Sequence, residues 1–362
     1  MSRIPFGIAI DGEGAHPAAW HQADRGPADL LTPSRIADRF RVLDDSAVAF
    51  ALIPAANTAI VGALDAVETA NFAAAVTSRL SLVAEVNTIR AEPFHLANQV
   101  NTLDWAAQGR AGWLAALDDS VDAAAAYGAA PHADASEATR EAADVVAAVR
   151  LLWDTWEDDI FLADEATGRF LDLDRWHYAD FEGTSFSIKG PGLLPRPPQG
   201  QLPVWGRGPV GEPFARQVDI VLVSGGTVAD IDAQVRAAAS VGIARAVAEV
   251  EVVLDARGVE ASDRLAALDA ATSGGTTGPV RLTGPAHRVA EQLGELADHV
   301  DGIVLRPAVL DVDVPVIIEE VLPALERDSV LLPDAATQRD LFRLERPANA
   351  FARPGNAIKE TP

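Results

Sequence analysis

Two short stretches of the sequence hold side chains whose types and neighbours suit chemistry on a bound molecule. His16 follows Asp-Gly-Glu-Gly-Ala at the end of the first apolar run, and its imidazole could hydrogen-bond a substrate oxyanion or exchange a proton near neutral pH. Arg207 stands between Gly206 and Gly208 in the stretch Gly-Arg-Gly-Pro-Val-Gly. There the glycines would let backbone amides approach an anion, and the guanidinium could pair with a phosphate. The two stretches therefore predict an acid–base group and an anion site.

The composition excludes several classes of function. The 362 residues include 53 acidic and 29 basic side chains, which gives a formal net charge of −24. This charge repels phosphate backbones and anionic lipids, so we expect neither a nucleic acid nor a membrane as partner. The sequence has no cysteine and therefore no disulfide, no thiolate nucleophile and no thiolate metal site. It also lacks the Gly-x-Ser-x-Gly motif of the commonest serine hydrolases.

The sequence predicts no metal site and a cytoplasmic location. Carboxylates cluster at 156–159 and 171–175, but no histidine or further acid recurs at the spacing of metal ligands. We interpret these clusters as solvated faces. The N-terminal segment turns polar too soon for a signal peptide, and no apolar run approaches the length of a membrane span.

Short apolar runs alternate with longer helical patterns along most of the chain, as in a parallel α/β fold. Strands are predicted at 5–10, 46–53, 80–86, 111–117, 202–205, 219–223, 245–254 and 301–306. Helical stretches are predicted to begin near 33, 57, 93, 136, 210, 228 and 285, and a last one runs from 314 to 326. Eight such units predict a single (β/α)8 TIM barrel over residues 1–340. Residues 341–362 are predicted to be a polar tail that wraps the surface or frays.

One segment, 154–200, is far longer than an ordinary connection between two elements. It precedes the predicted fifth strand and is rich in acids, aromatic residues and prolines. The stretch Phe-Glu-Gly-Thr-Ser-Phe-Ser-Ile (181–188) predicts a short hairpin within it. We expect this insertion to pack over the C-terminal mouth of the barrel, where such barrels build their active sites.

The stretch EPFHLANQVNTLDWAAQGRAGW (92–113) carries a resemblance to a known family. It closely resembles a signature of the bacterial-luciferase-like flavin-dependent monooxygenases, in the branch of nitrilotriacetate and dibenzothiophene-sulfone monooxygenases. The stretch GAHPAAWHQAD (14–24) is similar to the opening motif of that branch, and the insertion follows its counterpart almost throughout. The stretches RLTGPAHRVAEQLGELADH (281–299) and VLPALERDSVL (321–331) resemble its C-terminal units.

The resemblance implies a barrel that holds reduced FMN at its C-terminal mouth. A separate NADH-dependent reductase would supply the flavin, and O2 would be used to oxygenate a small organic substrate. The resemblance also implies a homodimer. It assigns His16 a catalytic role and makes Trp20 a wall of the substrate pocket. Four residues are predicted to bind the cofactor, namely Thr88 at the end of the third strand, Gly206, Arg207 and Gly208.

Several positions depart from the pattern of the family. An acid usual after the second strand is replaced by Pro54 and Ala55, and Thr139 stands where a tyrosine is usual. The segment 113–118 lacks the amide and hydroxyl side chains usual after the fourth strand. These losses predict weak FMN binding. They leave two alternatives open: a flavin-poor, non-catalytic barrel subunit that partners an active homologue, or a deazaflavin-dependent oxidoreductase.

Other polar residues of these motifs predict architecture rather than chemistry. Arg110 is expected to pair with an acid such as Asp104 or to hold backbone carbonyls where a helix joins a strand. Arg196 stands between prolines and is expected to anchor a loop, and His95 is expected to be a structural histidine.

Overall fold

All eight predicted strands form, and they close into one parallel barrel in a computed structural model that describes residues 3–24, 26, 29–55, 64–272, 279–327, 330–332 and 335–352. The barrel strands are Phe6–Ala9 (β1), Phe50–Ile53 (β2), Ser81–Asn87 (β3), Ala111–Ala116 (β4), Val204–Arg207 (β5), Ile220–Val223 (β6), Arg245–Leu254 (β7) and Gly302–Pro307 (β8). Each strand pairs in parallel with the next, and β8 pairs with β1. The predicted (β/α)8 barrel is confirmed.

Helices lie between the strands and cover the outside of the barrel. They are Pro33–Asp44 (α1), Ala66–Ala74 (α2), Pro93–Ala106 (α3), Val121–Ala126 (α4), Ala135–Asp154 (α5), Val228–Ser240 (α6), Ala261–Ala270 (α7), Ala286–Leu296 (α8) and Leu310–Val316 (α9). A π-helical segment, Ile317–Val321, continues α9 into a further helix, Leu322–Arg327. Among the described residues, no helix has both the length and the apolar character needed to span a membrane.

Two features differ from the predicted elements, and the start of one further predicted helix is not described. The helix predicted near residue 57 lies outside the described residues, and α2 begins at Ala66. The helix predicted from Val210 is wrong, because the segment forms only a short 3₁₀ turn, Phe214–Gln217. Pro213 disfavours the helical conformation of the residue before it, Glu212, within this segment. A strand that was not predicted, Val280–Gly284, pairs with the second half of β7.

The lower part of the barrel is filled by aromatic side chains, one of which comes from near the C-terminus. Phe50 and Trp205 project into the barrel, and the ring of Phe342 packs against them at centroid distances of 5.7 and 5.0 Å. The neighbouring Gln338 donates to the Ser81 hydroxyl at 2.9 Å. Residues 338–342 therefore plug the N-terminal end of the barrel. The prediction of a surface tail from 341 is wrong for Phe342, which is buried.

The long insertion does not cover the mouth of the barrel, and that prediction is wrong. It runs along the outer side of α3, where Leu193 donates its amide to Asn98 and Asn101 donates to the Pro195 carbonyl. It ends at the N-terminal face, where Gln199 donates to the carbonyl of Ala111, the first residue of β4. The reason is topological: the insertion follows the helix α5, and helices in such barrels return to the face where strands begin.

The insertion has its own internal structure. The predicted hairpin forms between Phe181–Glu182 and Ser187–Ile188, and a second hairpin joins Phe161–Asp164 to Arg169–Leu171. Arg196 anchors the insertion as predicted: its guanidinium donates to Asp154 at 2.8 Å and to Asp158 at 3.0 Å.

The carboxylates at 156–159 are ion-paired, and their interpretation as a solvated face is wrong for one of them, Glu157. Glu157 is buried, where His177 meets one of its carboxylate oxygens at 2.7 Å and Arg175 the other at 3.3 Å. Asp158 binds Arg196 and also Arg346. Their partners lie 18 to 188 residues away along the chain, so local sequence does not reveal the pairing.

Gly109 and Arg110, in the stretch 92–113, form the joint between α3 and β4. Gly109 has a φ of +86°, a conformation that glycine adopts without strain. The Arg110 guanidinium donates to the carbonyls of Leu80 and Thr77, so Arg110 holds backbone carbonyls, one of the two predicted roles. Asp104 is fully buried and accepts instead from the Gln199 side chain at 2.7 Å. This stretch is therefore an architectural joint.

A second buried carboxylate, Asp313 of α9, joins three elements near the C-terminal end of the barrel. It forms a two-pronged ion pair with Arg264 of α7, at 2.6 and 3.3 Å. It also accepts the amide hydrogens of Leu254 and Val309 at 3.0 and 2.8 Å. Asp313 has no exposed surface, so all four of its hydrogen bonds are buried.

Candidate functional site

The lumen of the barrel changes from apolar to charged toward the C-terminal mouth. Side chains of a strand alternate between its two faces, so the residue two places after a lumen residue also faces the lumen. The apolar lumen cluster contains Ala9, Val83, Trp205, Val247 and Val304. The residues two places further along the chain are all charged: Asp11, Glu85, Arg207, Glu249 and Arg306.

These five side chains connect across the mouth. Arg207 donates to Glu249 at 2.8 Å and to Glu85 at 3.3 Å. Arg306 donates to Asp11 at 3.1 Å and lies 3.8 Å from the second oxygen of Glu249. We call these five residues the mouth ion-pair network. It joins β3, β5, β7, β8 and the end of β1.

The charge of Arg207 is already matched inside this network. Burial lowers the pKa of Arg207, but the carboxylates of Glu249 and Glu85 outweigh that effect and raise it above its ordinary value. Glu249 is almost fully buried, so its own charge depends on Arg207 and Arg306 for compensation. Arg207 therefore carries a permanent positive charge that two carboxylates offset.

A cavity of about 410 Å³ opens beside the network at the ends of β3, β4 and β5. Its volume lies in the range of small-molecule sites. The charged groups of its lining are Glu85, Asp118 and Arg207, and its apolar wall includes Val210 and Phe214. It is at the end of the barrel where enzymes of this fold carry their chemistry. We take it as the candidate ligand site.

The predicted phosphate loop, 206–211, does not fit a flavin phosphate. Gly206 lies within β5, in register with neighbours on both sides, and the Gly208 amide donates to the Leu222 carbonyl at 2.9 Å. Pro209 has no amide hydrogen, and the 3₁₀ turn that follows is too short to supply a helix dipole. A phosphate at this loop would also meet Glu85 and Asp118 in the cavity wall.

His16 lies at the C-terminal face, as expected of a residue after β1, but its side chain is buried. Its backbone amide donates to the Ala308 carbonyl, next to the end of β8. Nδ1 accepts the amide hydrogen of Ala18 at 3.1 Å, so that Nε2 carries the proton and donates to Asp269 of α7 at 3.1 Å. Both ring nitrogens are thus engaged within the protein, and the predicted catalytic role stays a prediction.

We expect the substitution His16→Ala to act mainly on stability. It removes the acceptor of the Ala18 amide and a link between the β1 loop and α7, which should lower the free energy of unfolding by about 1–3 kcal/mol. Urea unfolding of His16→Ala beside Asp269→Asn measures this, because the second variant weakens the same link and keeps the ring. A loss of turnover of about 100-fold at unchanged stability would instead support His16 as a catalytic donor.

The loop that carries His16 depends on one glycine. Gly14 has a φ of +148°, and a Cβ atom there would lie 2.2 Å from the Ala308 carbonyl oxygen. No other residue fits so close to a backbone oxygen. The glycine before His16 is therefore required by the approach of this loop to β8, and not by room for a ligand.

Thr88 and Trp20 occupy different environments. Thr88 follows β3 and has no exposed surface; its amide donates to the Ala116 carbonyl, and its hydroxyl contacts the Val86 carbonyl at 3.3 Å. Trp20 is 54% exposed, and its ring lies 3.7 Å from that of His21. Cofactor binding by Thr88 and substrate contact by Trp20 stay predictions. Of the predicted cofactor residues, Arg207 and Gly208 line the cavity.

Sequence reasoning missed the carboxylates of the network. Glu249 and Glu251 stand at alternate positions in an otherwise apolar strand, β7, and Glu85 stands two places after Val83 in β3. Both faces of a barrel strand are buried. Charged residues at every second position of such a strand could therefore have indicated a layer of ion pairs in the lumen. Glu251 is paired with Arg281 of the neighbouring strand at 3.0 Å.

Comparison with known proteins gives several relatives that are named monooxygenases. A relative from Bacillus subtilis, N-acetyl-S-(2-succino)cysteine monooxygenase, is 30% identical over 210 residues, 55% of this chain and 47% of the relative. Dibenzothiophene-sulfone monooxygenase of Rhodococcus erythropolis is 34% identical over 39% of this chain and 32% of the relative. Nitrilotriacetate monooxygenase component A of Aminobacter aminovorans is 31% identical over 43% and 35%. The matches thus span a third to a half of the length of these curated relatives.

Solved structures agree on the fold. A long-chain alkane monooxygenase superposes with a TM-score of 0.83 at 17% identity, over 95% of this chain and 96% of the other. A riboflavin lyase superposes with a TM-score of 0.82 at 21% identity, over 95% and 97%. Identities this low establish the architecture alone. The family model described as luciferase-like monooxygenase matches residues 14–302, which is most of the chain. The chain belongs to the family of luciferase-like monooxygenases.

Proposed function

We propose that this protein is the oxygenase component of a two-component monooxygenase, which takes reduced flavin from a separate reductase and uses O2 on a small organic substrate. The observation that carries the proposal is the family match over residues 14–302, together with an open cavity at the C-terminal mouth. The reductase partner follows from the relatives, one of which is called component A. A homodimer is proposed on the resemblance alone.

The residues of the chain would bind and orient rather than supply the oxidant. The chemistry with O2 would come from the reduced flavin when it is bound. The apolar wall at Val210 and Phe214 would exclude water from the ring and the substrate. The mouth ion-pair network, of which Glu85 and Arg207 line the cavity, would fix polar edges of the bound molecules.

The test is oxygen incorporation in a reconstituted system. The purified protein, a flavin reductase, NADH and flavin are incubated under ¹⁸O2 with a panel of small organosulfur compounds and amines, and products are analysed by mass spectrometry. We expect a product that gains one labelled oxygen atom only when all components are present. Reductase and flavin without this protein form the control for oxidation by free peroxide. Failure of every flavin to bind would contradict the proposal.

A second candidate function is a non-catalytic barrel subunit that partners an active homologue. The observation in its favour is the pairing of Arg207 with two carboxylates, which leaves the predicted phosphate loop without a free cation. Fluorescence titration separates the two candidates, because the subunit alternative predicts no quenching by FMN, by riboflavin or by a deazaflavin. Binding of the deazaflavin alone would favour the third alternative, a deazaflavin-dependent oxidoreductase.

A further inference from the structure

We propose that the mouth of this barrel recognises a flavin through its ring system and selects against its phosphate, so that neutral riboflavin binds at least as tightly as FMN. The inference rests on the proposed function in one respect, that the ligand is a flavin. It concerns the residues that face the ligand, and not the reaction.

The first argument is the charge that a phosphate would meet. Arg207 is the one cation among the described lining residues of the cavity, and it is held between Glu85 and Glu249. The same lining holds the carboxylates of Glu85 and Asp118. A dianion that approached Arg207 would have to displace a carboxylate and then remain beside it. Like charges at such distances repel strongly in a partly buried site.

The second argument is that the Gly208 amide and the nearest long helix N-terminus are already used within the protein. The Gly208 amide is used by the Leu222 carbonyl, and Pro209 offers none. The next helix N-terminus, that of α6, is closed by its own carboxylate: Asp230 accepts the amide and the hydroxyl of Thr227 at 3.0 and 2.8 Å. A helix N-terminus that is capped by an acid has little attraction left for a phosphate.

The third argument is what the cavity offers to an uncharged ring. Leu117, Pro209 and Val210 provide apolar surface, and a planar guanidinium such as that of Arg207 can stack on an aromatic face. The hydroxyls of a ribityl chain could donate hydrogen bonds to Glu85 or Asp118, because a carboxylate is an acceptor. The lining thus suits a neutral, hydroxyl-bearing ring compound.

The experiment compares oxidised riboflavin and FMN as probes. Their dissociation constants are measured by fluorescence quenching at low ionic strength for the native protein, for Glu85→Gln and for Glu320→Gln. Glu85→Gln removes the charge of one of the two carboxylates that pair with Arg207, and glutamine keeps the shape of the side chain. Glu320 is exposed outside the barrel and forms the matched control. Thermal melting of each variant verifies that it is folded.

For the native protein we expect riboflavin to bind as tightly as FMN or more tightly. Glu85→Gln should shift the ratio of the two dissociation constants by about 10-fold in favour of FMN, since one repulsive charge is removed near the phosphate while the ring and the ribityl chain are common to both probes. Glu320→Gln should change neither. FMN that binds at least 10-fold more tightly than riboflavin to the native protein overturns the inference and leaves the proposed function intact. No binding of either flavin overturns both.

Discussion

Asp313→Ala is expected to lower the free energy of unfolding by about 3–5 kcal/mol, the largest effect we predict for a single substitution. The variant leaves the Arg264 guanidinium buried without its counter-charge, and it leaves the amides of Leu254 and Val309 without an acceptor. Urea unfolding followed by circular dichroism measures the change. A loss below about 1 kcal/mol would show that water or another group replaces the carboxylate.

Two further variants isolate the buried charge as the cause. Asp298→Ala removes an exposed carboxylate beyond the end of α8 and should change stability by less than about 0.5 kcal/mol. The double variant Asp313→Ala/Arg264→Leu should be more stable than Asp313→Ala alone, because the uncompensated cation is gone. A double variant that is less stable by the sum of both single losses would assign the effect to packing instead.

Asp104→Asn is expected to change how stability depends on pH. Burial raises the pKa of Asp104 to about 7, against hydrogen bonds from Gln199 and Ala111 that favour the ionised form. Between about pH 4 and pH 7 the folded protein therefore keeps a proton that the unfolded chain has lost. The contribution of Asp104 to stability is present at low pH and is lost as the pH rises toward 7.

The asparagine variant cannot titrate, so the difference between native protein and variant isolates this group. From pH 4.5 to pH 7.5 we expect the native protein to lose on the order of 2–4 kcal/mol relative to the variant. Chemical unfolding at four pH values measures it. Asp44→Asn is the control that should stay flat over this window, because backbone hydrogen bonds hold the pKa of Asp44 below its ordinary value despite burial, so that Asp44 is ionised in both the folded and the unfolded chain. Parallel curves for Asp104→Asn and the native protein would contradict the prediction.

The strands of the barrel could be predicted because a buried parallel strand is a local apolar run. Even β5, only four residues long, was predicted to within two residues, at 202–205 against the observed Val204–Arg207. The face of the barrel on which the insertion lies could not be predicted in the same way, because it depends on whether a strand or a helix precedes the insertion. Residue 154 ends a helix, and helices end at the face opposite to the mouth.

The site itself was predicted in part. His16 lies at the predicted end of the barrel, and Arg207 and Gly208 line its cavity. What local sequence could not show is the partner of each charge: Glu85 and Glu249 lie 122 and 42 residues from Arg207. From local sequence, an arginine between two glycines predicts a site for an anion. In the fold, the carboxylates of Glu85 and Glu249 already pair with Arg207, and local sequence does not show them.

The plug at the N-terminal end of the barrel also bears on how the protein is made. Gln338 and the Ser81 hydroxyl it contacts are separated by 257 residues. At the usual speed of protein synthesis, about 5–20 residues per second, a nascent chain takes roughly 10–50 s to cover that distance. Throughout this interval Phe50 lacks the ring of Phe342 that later covers it. The lower end of the barrel can therefore close only after residues 338–342 have left the exit tunnel of the ribosome.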